Sequence, residues 1–214
     1  MEATHLTQEV CGIKNQKNNK KITIMIYNHS KIESIFKYYL NSGFDHSMQE
    51  IASAVQVSKK TLFNRYLSKE SLEYCLIDYW QIKSCERFAE RIEHTNNAVE
   101  QLMMFLFELQ YCRNNEFHFF EKTKEPFLRK FERTSPPFIT QLEAIFKTGT
   151  TEGFFQFSFE LKVFAYFFLF NALFILLSNT SVNTDYISFL FEPILTEEGK
   201  MVFKDIDIEQ VFKP

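Results

Sequence analysis

Residues that interrupt helices are scarce in this chain, since glycine and proline each occur only five times among 214 residues. Folds built from β-strands need many more such residues in their turns and loops. Apolar residues instead recur at spacings of three and four along most of the chain, which is typical of helices with one buried face. The sequence therefore predicts an all-α fold in which long helices are joined by short turns.

Three serines mark the starts of successive helices in the first third of the chain. Ser47 is followed by glutamate three residues later, which is the form of a capping box, and Ser58 and Ser68 each precede an apolar helical pattern. An earlier helix over about residues 22–40 is expected to end at Gly43, as at a helix C-cap. The two short helices that follow Ser47 and Ser58 therefore predict a helix-turn-helix.

The second of these short helices carries a group of polar and cationic side chains. Its N-terminus offers free backbone N–H groups and the positive end of a dipole, which suit a phosphate. Asn64 and Arg65 could form bidentate hydrogen bonds with base edges in the major groove of DNA. Residues 1–70 hold ten Lys and Arg against six Asp and Glu, whereas the remainder is acidic, so we expect a polyanion at the N-terminal third.

The order of short motifs over residues 24–84 resembles the DNA-binding domain of TetR-family transcriptional regulators. The remainder resembles the family in its helical architecture and in the turn at 152–154. The resemblance implies an all-helical homodimer with a three-helix DNA-binding head (24–84), a C-terminal ligand-binding and dimerisation domain (85–214) and a flexible tail (1–23). The matching stretches are Gly43-Phe44, Ser47-Met48, Ile51-Ala52, Val57-Ser58-Lys59, Thr61-Leu62-Phe63 and Ser68-Lys69-Glu70-Ser71-Leu72.

The resemblance also implies which residues meet DNA. It places the helix-turn-helix at 47–66 and the recognition helix at 58–65, with Ser47 and Lys69 at phosphate-contacting positions. The predicted DNA-binding residues are Ser47, Ser58, Lys59, Lys60, Thr61, Asn64, Arg65, Tyr66 and Lys69.

Three positions depart from the pattern of the family. Gln56 stands where a glycine is usual in the turn, and a left-handed conformation there would cost of order 1 kcal/mol. Lys60 replaces a frequent glycine and adds a charge that attracts phosphate. Phe63 replaces a usual tyrosine and so lacks a hydroxyl contact with the DNA backbone.

The second half of the chain contains long apolar helical patterns. We expect helices to begin at Asn97, at Pro136-Pro137 and after Ser158, with a break or kink at Pro126. Residues 183–192 are expected to add a short helix, and the chain after Pro193 is left unassigned. A helix over 160–177 is apolar on more sides than its own subunit can cover, so it should pair with a second copy in a four-helix bundle. The stripe expected to join it comprises Phe138, Leu142, Ile145, Phe146 and Gly149.

A cavity in the C-terminal domain would have aromatic walls, because 23 of the 26 phenylalanines follow residue 70. Such walls favour a small hydrophobic or aromatic effector held by few hydrogen bonds. Candidate polar contacts are Trp80, Tyr111, His118 and Asn171, although each also fits a core residue whose hydrogen bond is satisfied internally.

The function that these patterns favour is a ligand-released repressor that binds a near-palindromic operator. The alternative is an all-helical small-molecule-binding or catalytic protein whose head no longer recognises DNA. The sequence contains no HExxH, GxSxG, P-loop or GxGxxG motif, so we expect no enzyme activity, no cofactor and no metal site. The apolar run 163–177 is too short to span a bilayer, and no signal peptide is visible, so a cytoplasmic location without membrane attachment is expected.

Overall fold

The computed structural model describes residues 29–43, 45–131, 137–158, 160–177 and 184–208, without the side chains of 29–30, 117–131, 174–177 and 184. Within these ranges the regular structure is helical, apart from one isolated antiparallel bridge between Phe155 and Leu195. The all-α prediction is therefore confirmed. The helices are α1 (His29–Ser42), α2 (Met48–Ala54), α3 (Lys59–Tyr66), α4 (Lys69–Ile92), α5 (Ala98–Phe131), α6 (Pro137–Thr151), α7 (Leu161–Leu177), α8 (Thr184–Phe191) and α9 (Glu197–Asp205).

The predicted helix caps at Ser47, Ser58 and Ser68 are confirmed. The Oγ atom of Ser47 accepts a hydrogen bond from the backbone N–H of Glu50 at 3.3 Å, and the Glu50 carboxylate accepts one from the Ser47 N–H at 2.7 Å. The Oγ atom of Ser58 accepts from the Thr61 N–H at 3.0 Å at the start of α3. The Oγ atom of Ser68 accepts from the Ser71 N–H at 3.0 Å at the start of α4. Each cap contributes about 1 kcal/mol, so these three starts are fixed by local chemistry.

Helix α4 crosses the boundary expected between the head and the C-terminal domain. It runs without interruption through residues 84 and 85, and its buried residues extend from Leu72 to Phe88. Helix α4 packs against α1, where Phe36 meets Tyr79 edge to face, and against α3, and it packs most extensively against α5. The two parts of the chain therefore share one rigid element. The chain before residue 29, which includes the expected tail and the first residues of the helix expected over about 22–40, lies outside the described residues.

The irregularity of α5 lies at Glu116 and not at Pro126. Glu116 has φ −127° and ψ 18°, whereas the backbone at Pro126 is helical. The expectation of a break at Pro126 is therefore wrong. The carboxylate of Glu116 is buried and accepts a hydrogen bond from the indole N–H of Trp80 at 2.5 Å, so a tertiary contact coincides with the irregular backbone.

The connection between α6 and α7 contains a turn at Gly153, and α7 begins later than the sequence suggests. Gly153 has φ +81°, which favours glycine because a side chain there would be strained. A Cβ atom on Gly149 would meet the ring of Phe155, so this glycine allows the turn to fold back on α6. Helix α7 begins at Leu161, with the Glu160 carbonyl accepting from the N–H of Phe164 at 3.2 Å. The expectation that this helix begins directly after Ser158, with that serine as its cap, is therefore wrong.

The chain after Pro193 forms a helix that the sequence did not predict. Thr196 caps α9 by accepting from the N–H of Gly199 at 3.0 Å, and its hydroxyl donates to the Gly153 carbonyl at 2.7 Å. The N–H of Thr196 donates to the Phe154 carbonyl at 3.0 Å. The short helix predicted over 183–192 is confirmed as α8, and these bonds fasten the segment after it to the α6–α7 turn.

Candidate functional site

Helices α2 and α3 form the predicted helix-turn-helix. Ala52 is fully buried where α3 passes, and Ile51 and Leu62 are buried beside it, so small and apolar residues fix how the helices pack. The turn between them closes with a hydrogen bond from the N–H of Val57 to the Ala52 carbonyl at 2.9 Å. Gln56 adopts φ 55°, so the residue that replaces the usual glycine does take the left-handed conformation.

The outer face of α3 gathers most of the residues predicted to meet DNA. Their side chains are exposed and lie within the first two turns of one short helix, next to its free N–H groups. Lys59 and Phe63 also contact each other, with the ammonium 5.7 Å from the ring centroid. This surface presents cations, a hydroxyl and an amide together, which suits a polyanion with hydrogen-bonding edges. The exposed residues are Ser58, Lys59, Lys60, Thr61, Asn64 and Arg65.

Three predicted residues lie apart from this outer face of α3. Ser47 is exposed at the start of α2, and Lys69 is half-buried at the start of α4, 3.9 Å from Glu73. Tyr66 is only 3% exposed, because it follows Leu62 by four residues and shares the inner face of α3. Burial raises the pKa of the Tyr66 hydroxyl. The structure therefore does not bring Tyr66 to the predicted DNA-contacting surface.

The described side chains among the four candidate effector contacts make contacts within the protein. Trp80 is buried and packs edge-on against Phe138, with 5.6 Å between ring centroids. Tyr111 is half-buried beneath two guanidinium groups. Asn171 donates to the Phe167 carbonyl of its own helix at 2.8 Å, and the His118 side chain lies outside the described residues.

Aromatic rings fill much of the described interior of the C-terminal domain. Phe88, Phe105 and Phe138 are in consecutive edge-to-face contact, with centroids 5.6 and 5.8 Å apart. Phe146 contacts further rings from the α6–α7 turn and from α7. Gln141 is a polar exception: its Nε2 atom donates to the Cys85 carbonyl, while its buried Oε1 atom has no hydrogen-bond partner among the described residues.

A cluster of charged residues between α4 and α5 was missed by the sequence reasoning. Arg87 donates through Nε to Glu108 at 2.9 Å, and its Nη2 atom lies 3.4 Å from a carboxylate oxygen of Glu116. Arg91 donates to the other oxygen of Glu108 at 3.2 Å. The cluster also includes the buried thiol of Cys112. The sequence signal for this cluster is a spacing of four residues, between Arg87 and Arg91 on α4 and between Glu108, Cys112 and Glu116 on α5.

Burial controls the chemistry of this cluster. Burial raises the pKa of Glu116, and this effect exceeds the opposing influence of the Arg87 cation and of the hydrogen bond from Trp80. Burial also raises the pKa of the Cys112 thiol well above its ordinary value. The two arginines of the cluster are paired with its two carboxylates, so the positive and negative groups are equal in number. These ion pairs join α4 to α5.

The apolar stripe expected on α6 is not available to a second copy. Its five residues are buried within the subunit, because α5 and α7 pack against α6 from the same chain. That part of the expected interface is wrong. The expectation that α7 has more apolar surface than its own subunit covers is confirmed, since Val163, Phe167 and Phe170 are exposed by 58%, 55% and 59%.

Comparison with solved structures identifies the architecture. A TetR-family transcriptional regulator from Agrobacterium tumefaciens is 17% identical with a TM-score of 0.54, over 78% of this chain and 99% of that chain. The fatty acid degradation regulator FadR from Bacillus halodurans is 12% identical with a TM-score of 0.57, over 86% and 89%. The ketosteroid transcriptional regulator KstR2 of Mycobacterium tuberculosis is 13% identical with a TM-score of 0.53, over 80% and 97%.

The chain therefore has the fold of TetR-family transcriptional regulators, and the resemblance seen in its motifs is confirmed at the level of the fold. No protein-family model and no curated protein sequence matches it. None of the described helices is long and apolar enough to cross a membrane. Among the described residues, no three His, Cys, Asp or Glu side chains are grouped so that they could hold a metal ion.

The raised pKa of Glu116 predicts a pH-dependent contribution to stability. The folded protein binds this proton more tightly than the unfolded chain does, so the contribution is present below the ordinary value of 4.5 and is lost as pH rises through the folded-state pKa. We expect Glu116→Gln, which keeps an oxygen for the Trp80 N–H, to gain stability relative to the wild type as pH rises from 4.5 through the folded-state pKa of Glu116. Urea unfolding at a series of pH values measures the difference.

Glu90→Gln is the matched control, because it removes the same charge from an exposed position on α4. Its stability should follow the wild type at every pH. Parallel pH profiles for the wild type and Glu116→Gln would contradict the prediction. In the same experiment Arg87→Met should cost about 3 kcal/mol, because it leaves the buried Glu116 carboxylate without a cation, while Glu108 keeps only Arg91.

Proposed function

We propose that the protein is a DNA-binding transcriptional regulator, and specifically a repressor that a small ligand releases from a near-palindromic operator. The observation that carries this proposal is the outer face of α3. Its inner face is held by Leu62 and Tyr66, while Lys59, Asn64 and Arg65 are exposed together at the other side. A helix of this kind fits the major groove, where its N-terminus faces phosphates and its side chains contact base edges.

Different residues of the head have different roles in this proposal. Lys59, Lys60 and Lys69 bind phosphates and supply affinity that is independent of sequence. Asn64 and Arg65 contact bases and supply the preference for the operator. Exposed hydroxyl groups at Ser47, Ser58 and Thr61 hydrogen-bond the DNA backbone. The head comprises residues 24–84 and the ligand-binding and dimerisation domain 85–214, with α4 common to both.

A second copy of the chain is the proposed partner of α7. Val163, Phe167 and Phe170 are spaced by four and three residues, so their exposed side chains lie on one face of the helix. Phe189 of the following helix is also 62% exposed. Burying these groups between two copies would remove apolar surface from water and would place two heads on the halves of one operator.

The proposed effector is a small hydrophobic or aromatic molecule. The support comes from the abundance of aromatic side chains after residue 85, which would line any cavity there, and from the Oε1 atom of Gln141, which lacks a partner among the described residues and could accept one hydrogen bond from a ligand. Two proteins with this fold are described as a fatty acid degradation regulator and a ketosteroid transcriptional regulator. Ligand binding would favour a separation of the heads that no longer fits the operator.

Substitutions on α3 test the DNA-binding proposal. Asn64→Ala or Arg65→Ala should relax preference at particular base pairs by about 1–3 kcal/mol, because a bidentate contact is lost. Lys59→Ala or Lys60→Ala should weaken binding to all sequences alike and reduce the salt slope by about 1. Fluorescence anisotropy with operator and with unrelated DNA, at several salt concentrations, measures both effects.

Lys37→Ala is the control for charge, because Lys37 is exposed on α1 and pairs with Glu33 at 2.6 Å. Its DNA binding should remain that of the wild type. The operator can be sought upstream of the gene and by selection from random sequences. A folded protein that selects no DNA would refute the proposal and favour the alternative of a ligand-binding or catalytic helical protein.

Substitutions that introduce negative charge on the exposed face of α7 test whether two copies of the chain pair through this face. Phe167→Glu combined with Phe170→Glu should give a monomer at micromolar concentration, because two pairs of like charges would otherwise be buried. Sedimentation velocity measures the mass, and Lys147→Glu on the exposed side of α6 is the control. A wild-type chain that sediments as a monomer would remove both this interface and the paired heads.

Ligand screening tests the effector class. A ligand present at a hundred times its dissociation constant adds about 2.7 kcal/mol of stability, which a thermal shift detects. We expect lipophilic compounds both to stabilise the protein and to release it from the operator, while sugars, nucleotides and metal ions do neither. The opposite pattern, with a strongly hydrophilic or polyanionic compound as the active one, would show that the aromatic residues form only core.

A further inference from the structure

The turn of the helix-turn-helix contains a backbone conformation that its residue does not favour. Gln56 adopts φ 55°, and a residue with a Cβ atom is strained there whereas glycine is not. Val55, just before it, has φ −97° and ψ 12° and ends α2. The direction of the chain as it enters α3 therefore depends on two residues that need support from their surroundings.

A side chain from another helix supplies such support. The Nζ atom of Lys31, on α1, donates a hydrogen bond to the carbonyl oxygen of Val55 at 3.1 Å, across 24 residues of sequence. Carbonyl groups at the end of a helix have no partner within the helix, and the negative end of its dipole attracts a cation. The ammonium group therefore meets the backbone where α2 ends and the strained turn begins.

The surroundings of Lys31 connect this contact to the recognition helix. Lys31 is half-buried and lines a cleft between α1 and α3 together with Val57, Thr61 and Arg65. Lys31 is half-buried and its ammonium is bonded to the Val55 carbonyl, whereas Lys59 and Lys60 of α3 are exposed. Its contact acts on the position of α3 and not on the charge of the outer face.

We propose that Lys31 is a positioning residue for DNA recognition. By binding the Val55 carbonyl it holds the turn with Gln56 left-handed, and it thereby fixes the orientation of α3 relative to α2. The proposal rests on the DNA-binding function proposed above. The coupling between Lys31 and Gln56 belongs to the fold, however, and can be measured without DNA.

The experiment is a double-mutant cycle with Lys31→Met, Gln56→Gly and the two combined. Methionine keeps the apolar stem and removes the donor. We expect Lys31→Met alone to lower operator affinity about ten-fold, which corresponds to the loss of one charge-assisted hydrogen bond. With Gln56→Gly present, the same change should lower affinity by no more than about three-fold, because glycine adopts the turn unaided.

Salt dependence separates positioning from phosphate contact. If Lys31 positions α3, Lys31→Met should leave both the salt slope and the affinity for unrelated DNA unchanged, whereas a lost phosphate contact reduces the slope by about 1. Lys37→Met on the same helix is the control and should change neither quantity. A reduced salt slope would overturn the proposal, and so would an equal loss of operator affinity with and without the Gln56→Gly substitution.

Urea midpoints of the same four proteins keep the test independent of the proposed function. The midpoint shift caused by Lys31→Met should be smaller when Gln56→Gly is present, and additive shifts would overturn the proposal. If no variant and no wild-type protein binds DNA, the regulator function fails. The midpoints then still decide whether Lys31 supports the turn.

Discussion

Helix α4 is the constraint on which the arrangement of the molecule depends. Its 24 residues extend over about 36 Å at 1.5 Å per residue, so a displacement at one end reaches the other. It packs with α1 and α3, and its last turns are held by Arg87 and Arg91 to the buried Glu108 of α5. Helix α4 is continuous through the expected domain boundary. Any effector that moves α5 acts on a helix that also supports α3.

The features that the sequence predicted correctly are those decided by neighbouring residues. The caps at Ser47, Ser58 and Ser68 and the left-handed Gly43 involve partners within about four positions, so local chemistry determines them whatever the rest of the chain does. The order of motifs in the head likewise indicated the fold, because the helix-turn-helix is compact and continuous in sequence. These are the parts in which propensity, capping and apolar pattern agree.

The features that the sequence missed are decided by distant partners. An apolar stripe indicates that a helix face is buried but not what covers it, and the stripe around Leu142 is covered by its own subunit. Tyr66 carries a polar group suited to DNA, yet its position relative to Leu62 turns it inward. The kink at Glu116 coincides with contacts to Trp80 and Arg87 that lie about thirty residues away. The cover of the stripe and the kink cannot be deduced from neighbouring residues alone, whereas the spacing of four between Leu62 and Tyr66 was sufficient to place Tyr66 on the inner face of α3.

The exposed face of α7 has a consequence for inheritance. If two copies pair through Val163, Phe167 and Phe170, an allele that damages only the head would still produce chains able to join normal ones. In a cell with equal amounts of both products, random pairing would leave one complex in four with two intact heads. Damage to α3 would therefore act as a dominant trait. Damage to α7 would act as a recessive one, because the altered chains would be excluded from the normal complexes.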